Sequence, residues 1–269
     1  MPLVAAIQLS CTSNIDQNLT TAEALIRRAA GYGATFVATP EATDYLGPHS
    51  RKVEIAEPLD GPRGQFFSGL AQELGITLLI GSVAEQCDEK RTYNTSLLYG
   101  PDGKRLAAYR KMHLFDVDLA AAGGVTFRES DRTAAGESVV VSETPIGRIG
   151  LSICYDVRFA ELYRALADRG AEILSVPSAF TMMTGKDHWH VLLRARAIEN
   201  QAWLVAPGQC GQHDDKGLKH SYGHSMIVDP WGRVAGECGD GVGLCLAELD
   251  LAQQASIRRR IPMCDHRRL

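Results

Sequence analysis

Apolar runs alternate along the chain with segments of helical period, and this order predicts a mixed α/β fold. Leu3–Leu9 and Ala34–Thr39 are short apolar stretches typical of buried strands, and apolar residues recur at helical spacing between them as far as Gly31. Asn14 or Asp16 can cap this helix at its start. A strand, a helix and a second strand in this order predict two parallel strands joined by a crossover helix.

The same alternation continues to the end of the chain. The further predicted strands are Ile76–Ile80, Ile149–Ile153, Ala171–Val176, Ala202–Ala206, Ser225–Val228 and Leu244–Leu249. The further predicted helices are Gln65–Leu74, Ala160–Arg169 and His188–Gln201. Hairpin turns are predicted at 101–103 and 230–232, where proline comes first and glycine last. Residues 120–136 have no clear period and are predicted to form a long loop.

No linker or charge block divides the chain, so we predict a single α/β domain of residues 1–269 with its helices on the outside. The chain is 45% hydrophobic and 22% charged, which is typical of a soluble globular protein. Its net charge of −4 argues against nucleic-acid or anionic membrane partners. The first residues lack the pattern of a signal peptide, and no apolar run reaches membrane length. These features predict a cytoplasmic protein.

Seven cysteines are scattered along the chain. Their odd number and the absence of a CxxC motif argue against a disulfide framework or a zinc knuckle, and they fit a reducing cytosol. A cysteine is often only a small buried hydrophobe. Cys154, however, stands where an apolar strand ends and a helix-forming segment begins, where the helix dipole favours a thiolate. It is therefore either a structural thiol or a nucleophile.

A nucleophilic cysteine needs a base and a group that stabilises the oxyanion formed on attack. Ligands of α/β sheets collect where strands end. Glu41 follows the predicted strand Ala34–Thr39, and Lys111 follows the predicted strand Leu106–Arg110. A carboxylate can act as the base and an ammonium can bind the oxyanion. Each residue alone is typical of a solvated loop, so only their combination indicates a site.

The local sequences around these residues are more specific. "TPEA" around Glu41, "YRKMHLFD" around Lys111 and "ICYDVRF" around Cys154 closely resemble, in order and spacing, the three motifs of the nitrilase superfamily, the carbon–nitrogen hydrolases. The resemblance implies that Glu41 is the general base, Lys111 stabilises the tetrahedral intermediate and Cys154 is the nucleophile. The backbone N–H of Tyr155 would be a second oxyanion donor. Glu129, in "TFRES", resembles a further glutamate that positions the lysine and the substrate.

The resemblance also implies a fold and an assembly. The expected fold is the four-layer αββα sandwich of the carbon–nitrogen hydrolases, paired into a homodimer or a larger homo-oligomer. No metal or organic cofactor is expected, because thiol, carboxylate and ammonium are sufficient for amide hydrolysis.

The second half of the chain bears on the substrate. The segment from Cys154 to Gly211, with "SYGHSMIVDPWG", resembles the branch that hydrolyses deaminated glutathione, and Gln209–Ser221 favours that branch most. The expected reaction is hydrolysis of a small keto-acid amide, releasing ammonia, a 2-oxoglutarate-type acid and the cysteinylglycine part. An ω-amidase acting on 2-oxoglutaramate, a true nitrilase or another small-amide hydrolase, and a catalytically inert binding module are the alternatives.

A keto-acid substrate carries a carboxylate and needs a cationic or hydrogen-bonding clamp. Arg158, Arg194 and Arg196 are candidate anchors, although the last two can equally form ion pairs on their helix. The residues expected to line the pocket, besides Arg158, are Tyr45, Phe180, Thr181, Thr184 and His188.

Histidine offers a competing base. His113, His188 and His190 could suggest a cysteine–histidine pair. However, the side chains of residues that are two positions apart on a helix point about 160° away from each other, so His188 and His190 cannot both serve one site. The eight histidines of the chain also lack the spacing of zinc ligands.

Overall fold

The computed structural model describes residues 1–120, 126–214, 218 and 220–268. Its α-helices are α1 (Ile15–Gly31), α2 (Lys52–Ile55), α3 (Pro62–Leu74), α4 (Ala160–Asp168), α5 (Met182–Asn200), α6 (Leu251–Arg260) and α7 (Met263–His266). Its strands are β1 (Leu3–Leu9), β2 (Ala34–Ala38), β3 (Thr77–Gln86), β4 (Thr92–Tyr99), β5 (Arg105–Arg110), β6 (Asp116–Asp118), β7 (Thr126–Arg128), β8 (Thr133–Ala134), β9 (Val141–Thr144), β10 (Gly147–Leu151), β11 (Ile173–Ser175), β12 (Trp203–Ala206), β13 (Gly208–Gln212), β14 (His220–Tyr222), β15 (Met226–Val228), β16 (Val234–Glu237) and β17 (Gly243–Glu248).

The strands form two large sheets. Over the described residues, the first has nine strands along the path β14-β13-β1-β2-β3-β4-β5, with β17 antiparallel to β1 and β8 parallel to β4. The second has six strands in the order β16-β15-β12-β11-β10-β9 over the same residues. Each sheet has a parallel centre, β1-β2-β3 in the first and β10-β11-β12 in the second. The parallel pair predicted from the first strand, helix and strand is confirmed.

The two sheets pack face to face, and the side chains of β1 show how. Val4 and Ala6 point into a core shared with the second sheet, whereas Ala5 and Ile7 point into a core shared with α1 and α3. Helices α4 and α5 cover the outer face of the second sheet. The layers are therefore helix, sheet, sheet, helix, which is the expected αββα sandwich. Because both faces of its sheet are covered, β1 is apolar except for Gln8, which is buried and hydrogen-bonded to the Gly239 and Gly241 carbonyls.

Several predicted boundaries hold. Asn14 caps α1, and its side chain accepts a hydrogen bond of 3.1 Å from the Gln17 N–H. Both predicted hairpins are present, as the antiparallel pairs β4–β5 and β15–β16.

Two predictions about local structure are wrong. Helix α5 begins at Met182 rather than His188, because the Thr181 side chain caps it by accepting from the Thr184 N–H. The predicted loop 120–136 contains β7 and β8, and β7 pairs with β6 in a separate two-stranded ribbon. Short ribbons of this kind have too few residues to show a period in the sequence. Residues 121–125 of that loop, and 215–217 and 219 of Gln209–Ser221, lie outside the described residues.

In the part of the chain that the structure describes, no helix is both long enough and apolar enough to cross a lipid bilayer.

Candidate active site

A cavity opens where loops follow the strands of the two sheets. Its empty volume, including the part open to solvent, is about 990 Å³. The four side chains with expected catalytic roles line it together, although they are far apart in the sequence: Glu41, Lys111, Glu129 and Cys154. All four are buried. The structure thus brings together at one end of the cavity the groups that the sequence motifs single out.

A close backbone approach sets the position of Glu41. The chain leaves β2 and crosses β3 at Gly81, where an added Cβ would lie 2.1 Å from the Thr39 carbonyl oxygen. Only glycine permits this crossing without displacement of the backbone. Past Glu41, the Ala42 N–H donates a 2.9 Å hydrogen bond to the Ser82 Oγ. Both contacts with β3 hold the loop that carries the carboxylate.

The Glu41 carboxylate accepts hydrogen bonds at both oxygens. Its Oε1 accepts from Lys111 Nζ and from Asn94 Nδ2, each at 2.9 Å, and its Oε2 accepts from the Ala179 N–H at 2.8 Å. The Cys154 thiol lines the same cavity, and the charge of Glu41 contributes to the raised pKa of that thiol. Glu41 therefore contacts the ammonium group directly and acts electrostatically on the thiol.

Glu129 holds the other side of the ammonium. Lys111 Nζ lies 2.9 Å from its Oε2, which also accepts from the Phe115 N–H at 2.7 Å, and Asn94 Nδ2 donates to its Oε1 at 3.2 Å. Burial opposes ionisation, but the charges of Lys111 and Lys52 and the hydrogen bonds from Lys111 and the Phe115 N–H lower the pKa of Glu129 to about 2. The carboxylate is therefore ionised at neutral pH.

Lys111 is cationic for a related reason. Burial alone would lower its pKa, but the negative charges of Glu129 and Glu41 raise the pKa well above that of an ordinary lysine. The ammonium group is thus fixed between two carboxylates at the buried end of the cavity.

Cys154 begins a short 3-10 helix, Cys154–Arg158, with a φ of +50°. This left-handed conformation is uncommon for a residue other than glycine and is found at sites where the backbone must aim a side chain. Burial and the charge of Glu41 raise the pKa of Cys154 well above that of a free thiol, and Lys111 only partly offsets this. The helix dipole favours the thiolate at this position, whereas burial and the charge of Glu41 act in the opposite direction.

The backbone next to the nucleophile offers a donor. The N–H of Cys154 donates to the Pro177 carbonyl at 2.9 Å, so it is already satisfied. Among the described residues, none accepts a hydrogen bond from the Tyr155 N–H. Tyr155 also lines the cavity, which leaves its N–H as the backbone donor available beside the thiol.

A buried hydrogen-bond network that the sequence did not reveal connects the loops carrying Lys111 and Cys154. Asp156 accepts from the Tyr109 hydroxyl at 2.7 Å and from the Ile153 N–H at 2.8 Å. Its other oxygen lies 2.7 Å from His113 Nδ1. His113 is therefore a partner of Asp156 rather than of the Cys154 thiol.

Of the residues predicted to bind the substrate, Tyr45, Phe180 and Thr181 line the cavity, whereas Arg158, Thr184 and His188 are not among its lining residues. The Arg158 guanidinium lies 3.2 Å from His188 Nδ1, and 5.2 Å and 5.9 Å from the ring centroids of Phe180 and Tyr155, which both line the cavity. Thr184 instead belongs to the cap of α5.

The two other candidate arginines also lie elsewhere. Arg194 Nε donates to the Gly232 carbonyl at 2.7 Å, and Arg196 donates to the Val157 carbonyl and pairs with Glu199. Both hold α5 against its neighbours, as the alternative interpretation of these residues supposed.

Three residues outside the cavity form a cluster that sequence spacing did not indicate. His190 Nε2 and His224 Nδ1 each lie 3.0 Å from Glu237 Oε1, and the three donor atoms fit a metal-ligand grouping within 4.8 Å. The expectation that the histidines lack a ligand set was drawn from spacing in the sequence, and these residues come from separate elements. Their hydrogen bonds to Glu237 also account for the cluster without an ion.

Comparison with known proteins fits this fold and site. Residues 3–259 match the carbon-nitrogen hydrolase family, and the chain belongs to that family. It is a hydrolase that acts on carbon–nitrogen bonds other than peptide bonds, and its family's amidases act on small amides with water.

Named relatives are similar over the full length. Deaminated glutathione amidase of Homo sapiens is 44% identical over 274 residues, which cover 100% of this chain and 83% of that protein. Omega-amidase NIT2 of Homo sapiens is 40% identical over 98% of this chain and 94% of its own length. The crystal structure of the Caenorhabditis elegans NitFhit protein superposes with a TM-score of 0.92 at 40% identity and covers 99% of this chain. The chain spans only 65% of that longer protein.

Proposed function

We propose that this chain is a thiol amidohydrolase for small keto-acid amides, with deaminated glutathione as its substrate. The observation that carries the proposal is that the buried Cys154, Glu41 and Lys111 line one cavity, with Lys111 Nζ 2.9 Å from Glu41 Oε1. The similarity to amidases named for deaminated glutathione supports this substrate.

In the proposed acylation, Glu41 takes the thiol proton while the sulfur of Cys154 attacks the amide carbon. A neutral thiol suits this step, because its proton passes to the carboxylate only as the S–C bond forms. The oxyanion would be bound by Lys111 Nζ and the Tyr155 N–H. Glu41 then returns the proton to the departing nitrogen as the C–N bond breaks, which leaves a thioester.

Deacylation repeats the cycle with water. Glu41 takes a proton from water, whose oxygen attacks the thioester carbon, and the same two donors bind the second oxyanion. Collapse of this intermediate breaks the C–S bond, and the sulfur regains its proton. Glu129 is proposed to hold Lys111 in position through both steps, since it accepts two hydrogen bonds from Nζ. No step requires a cofactor.

The chemistry of deaminated glutathione corrects one expected product. Its scissile bond is a secondary amide between a 2-oxoglutaryl group and cysteinylglycine. Hydrolysis therefore releases 2-oxoglutarate and cysteinylglycine, and the nitrogen leaves as the cysteine amine. Ammonia leaves only from a primary amide such as 2-oxoglutaramate, so the leaving group separates the two candidate reactions.

The test compares wild-type protein with Cys154→Ala. Mass spectrometry should detect 2-oxoglutarate and cysteinylglycine from deaminated glutathione with the wild type, and turnover should fall by at least about 10³-fold in the variant. Thermal unfolding should remain cooperative. Equal turnover by the two proteins would contradict the proposal, and so would a wild type that hydrolyses no amide.

Cys11→Ser is the matched control. Cys11 is also a buried thiol just past a strand, but its Sγ donates to the Thr43 carbonyl rather than to a carboxylate. We expect its turnover to equal that of the wild type. A kcat/KM for 2-oxoglutaramate about 100-fold above that for deaminated glutathione would instead favour the ω-amidase alternative, and turnover of nitriles would favour a nitrilase.

We also propose a homodimer or larger homo-oligomer built from a single domain of residues 1–269, in a reducing cytoplasm. Val191, Ile198 and Trp231 are exposed apolar side chains on α5 and the turn between β15 and β16, which suits a subunit interface. The seven cysteines are all free thiols. Light scattering on the purified protein tests the assembly, and a monomeric mass at micromolar concentration would contradict it.

A further inference from the structure

A buried glutamine outside the cavity contacts the backbone of the proposed base. Gln209, the second residue of β13, is buried and is not among the residues that line the cavity. Its Nε2 donates to the Glu41 carbonyl at 2.9 Å and to the Ala42 carbonyl at 3.2 Å, and its Oε1 accepts from the Cys11 N–H at 3.0 Å. The opposite orientation of the amide would set its oxygen against two carbonyl oxygens, so these partners fix which atom donates.

The two carbonyls lie on either side of a left-handed turn. Ala42 has a φ of +58°, a conformation that is uncommon for a residue with a Cβ and that the surrounding structure must hold in place. From the side of β3, the Ser82 Oγ accepts from the Ala42 N–H. From the side of β13, the Gln209 amide holds the peptide carbonyls that flank Ala42. Loss of the two bonds from Gln209 would free this turn to relax and would move the Glu41 side chain that it carries.

The main chain of Gln209 also reaches the carboxylate of Glu41 through one peptide group. The Gln209 N–H donates to the Ser178 carbonyl at 2.8 Å. The N–H of the same peptide group, that of Ala179, donates to Glu41 Oε2 at 2.8 Å. Hydrogen bonds that run through one peptide group polarise and strengthen each other. Gln209 is therefore connected to both ends of Glu41, to its backbone by the side chain and to its carboxylate by the main chain.

We propose that Gln209 is a positioning residue that orients Glu41 for proton transfer, by holding the carbonyls of Glu41 and Ala42. The inference rests on the proposed amidase function and adds to it the means by which the base is fixed. Gln209 acts through Glu41 and does not touch the substrate. Loss of its side chain should therefore slow proton transfer for every amide that is hydrolysed and leave substrate binding nearly unchanged.

The test replaces the amide by an unbranched side chain of similar length. Gln209→Met should lower kcat about 10- to 100-fold, because the base is displaced from its productive position, while KM changes less than about 3-fold. The decrease should be the same with deaminated glutathione and with 2-oxoglutaramate. A kcat within about 2-fold of the wild type would overturn the proposal. So would a raised KM with an unchanged kcat, or a decrease confined to one substrate, because Gln209 would then act on the substrate.

Gln254→Met is the matched control. Gln254, on α6, is also buried, and its Nε2 also donates to two backbone carbonyls, those of Glu172 and Gln201, each at 2.9 Å. It does not line the cavity. Both variants should lower the Tm because each deprives two carbonyls of their donor, but Gln254→Met should keep the kcat of the wild type. An equal decrease in kcat would mean that loss of any buried amide slows turnover, and the proposal would be overturned.

A double variant separates positioning of the base from a general structural role. If Gln209 acts through Glu41, adding Gln209→Met to Glu41→Gln should lower the remaining rate less than about 2-fold, whereas independent effects would multiply. This rate is measured by mass spectrometry with enzyme in excess over deaminated glutathione. Multiplied effects would overturn the proposal.

A second variant and the wild type complete the experiment. If Gln209→Met does not unfold cooperatively, Gln209→Glu replaces it in each comparison. This change keeps the shape of the side chain and an acceptor for the Cys11 N–H, but an ionised carboxylate cannot donate to the two carbonyls. A wild type without amidase activity would refute the proposed function itself, whereas an active wild type with unaffected Gln209 variants would refute only this inference.

Discussion

At the closed end of the cavity Lys111 is paired with two glutamates, whereas at the mouth, the part of the cavity nearer to solvent, Lys52 and Arg128 form no ion pair in the described part of the chain. The closed end is buried, so each charge needs a compensating partner from the protein, and the partners also fix its geometry. Charges at the mouth are partly hydrated and act on carboxylates such as Asp116 and Glu129 over a longer distance. The difference is one between charges fixed by ion pairs and charges that solvent screens.

The largest predicted effect on kcat is that of replacing Glu41, the proposed general base. Glu41→Gln retains a side chain of the same shape but cannot take the thiol proton, so kcat should fall by about 10³-fold or more. The change acts on proton transfer and keeps the shape of the cavity, so KM should change much less than kcat. Steady-state kinetics with deaminated glutathione, together with thermal unfolding, measure both.

A buried carboxylate outside the cavity is the control for this change. Glu85 is ion-paired with Arg110 and accepts a hydrogen bond from Thr95, but it does not line the cavity. Glu85→Gln should therefore reduce stability and leave kcat near that of the wild type. If it slowed turnover as much as Glu41→Gln, loss of any buried carboxylate would explain the result and the base would be unassigned.

A smaller effect is expected at the second glutamate. Glu129→Gln leaves the base in place but removes one of the two charges that hold Lys111, so kcat should fall about 10²-fold while KM changes little. The conservative variant Glu129→Asp should recover part of the loss only if the shorter side chain still reaches Nζ. A rise in KM with an unchanged kcat would place Glu129 in substrate binding instead of in the positioning of Lys111.

The sequence predicted the closed end better than the mouth, and the reason is physical. Glu41 and Lys111 follow strands β2 and β5 of the first sheet, whereas Cys154 follows β10 of the second, so the resemblance of their local motifs to one family, and not strand ends alone, grouped them. Arg158 shares the short 3-10 helix of Cys154 but is not among the residues that line the cavity, and spacing does not encode the direction of its side chain. Lys52 lies in a four-residue helix that has no recognisable pattern.

Side-chain contacts between residues of different strands and loops could not be predicted from the sequence either. Asn94 lies within β4, and its side chain reaches both active-site glutamates, yet nothing in "YNTS" distinguishes it from an ordinary strand residue. The layered fold was more accessible, because strands covered on both faces give continuous apolar runs. The ribbon of β6 and β7 was missed, since strands of three residues are too short for a period.

Removal of the contact between Asn94 and the two glutamates should lower kcat about 10-fold. Asn94→Ala removes one donor from each of two buried carboxylates, which become less well oriented around Lys111. We expect the same decrease with deaminated glutathione and with 2-oxoglutaramate, because the change acts on the two carboxylates and not on the substrate. A decrease confined to one of the two substrates would show that Asn94 contacts the substrate rather than the two glutamates.

The smallest effect concerns stability and not turnover. The pKa of Glu129 is lowered to about 2 from an ordinary 4.5, so its contribution to stability is present above pH 4.5 and is lost as the pH falls toward 2. The slope cannot exceed about 1.4 kcal/mol per pH unit for one group. Urea unfolding between pH 6 and pH 3 should show a flatter acid limb for Glu129→Gln than for the wild type.

Lys52→Met supplies the contrast in the same experiment. Lys52 has no ion-pair partner among the described residues and acts on that limb only through the effect of its charge on Glu129 and Asp44, so its slope should stay closer to that of the wild type than the slope of Glu129→Gln does. Parallel limbs for wild type and Glu129→Gln would mean that the closed-end charges are no more coupled to folding than those at the mouth. The difference between the paired charges of the closed end and the unpaired charges of the mouth would then have no counterpart in the free energy of unfolding, whatever the distances between the groups.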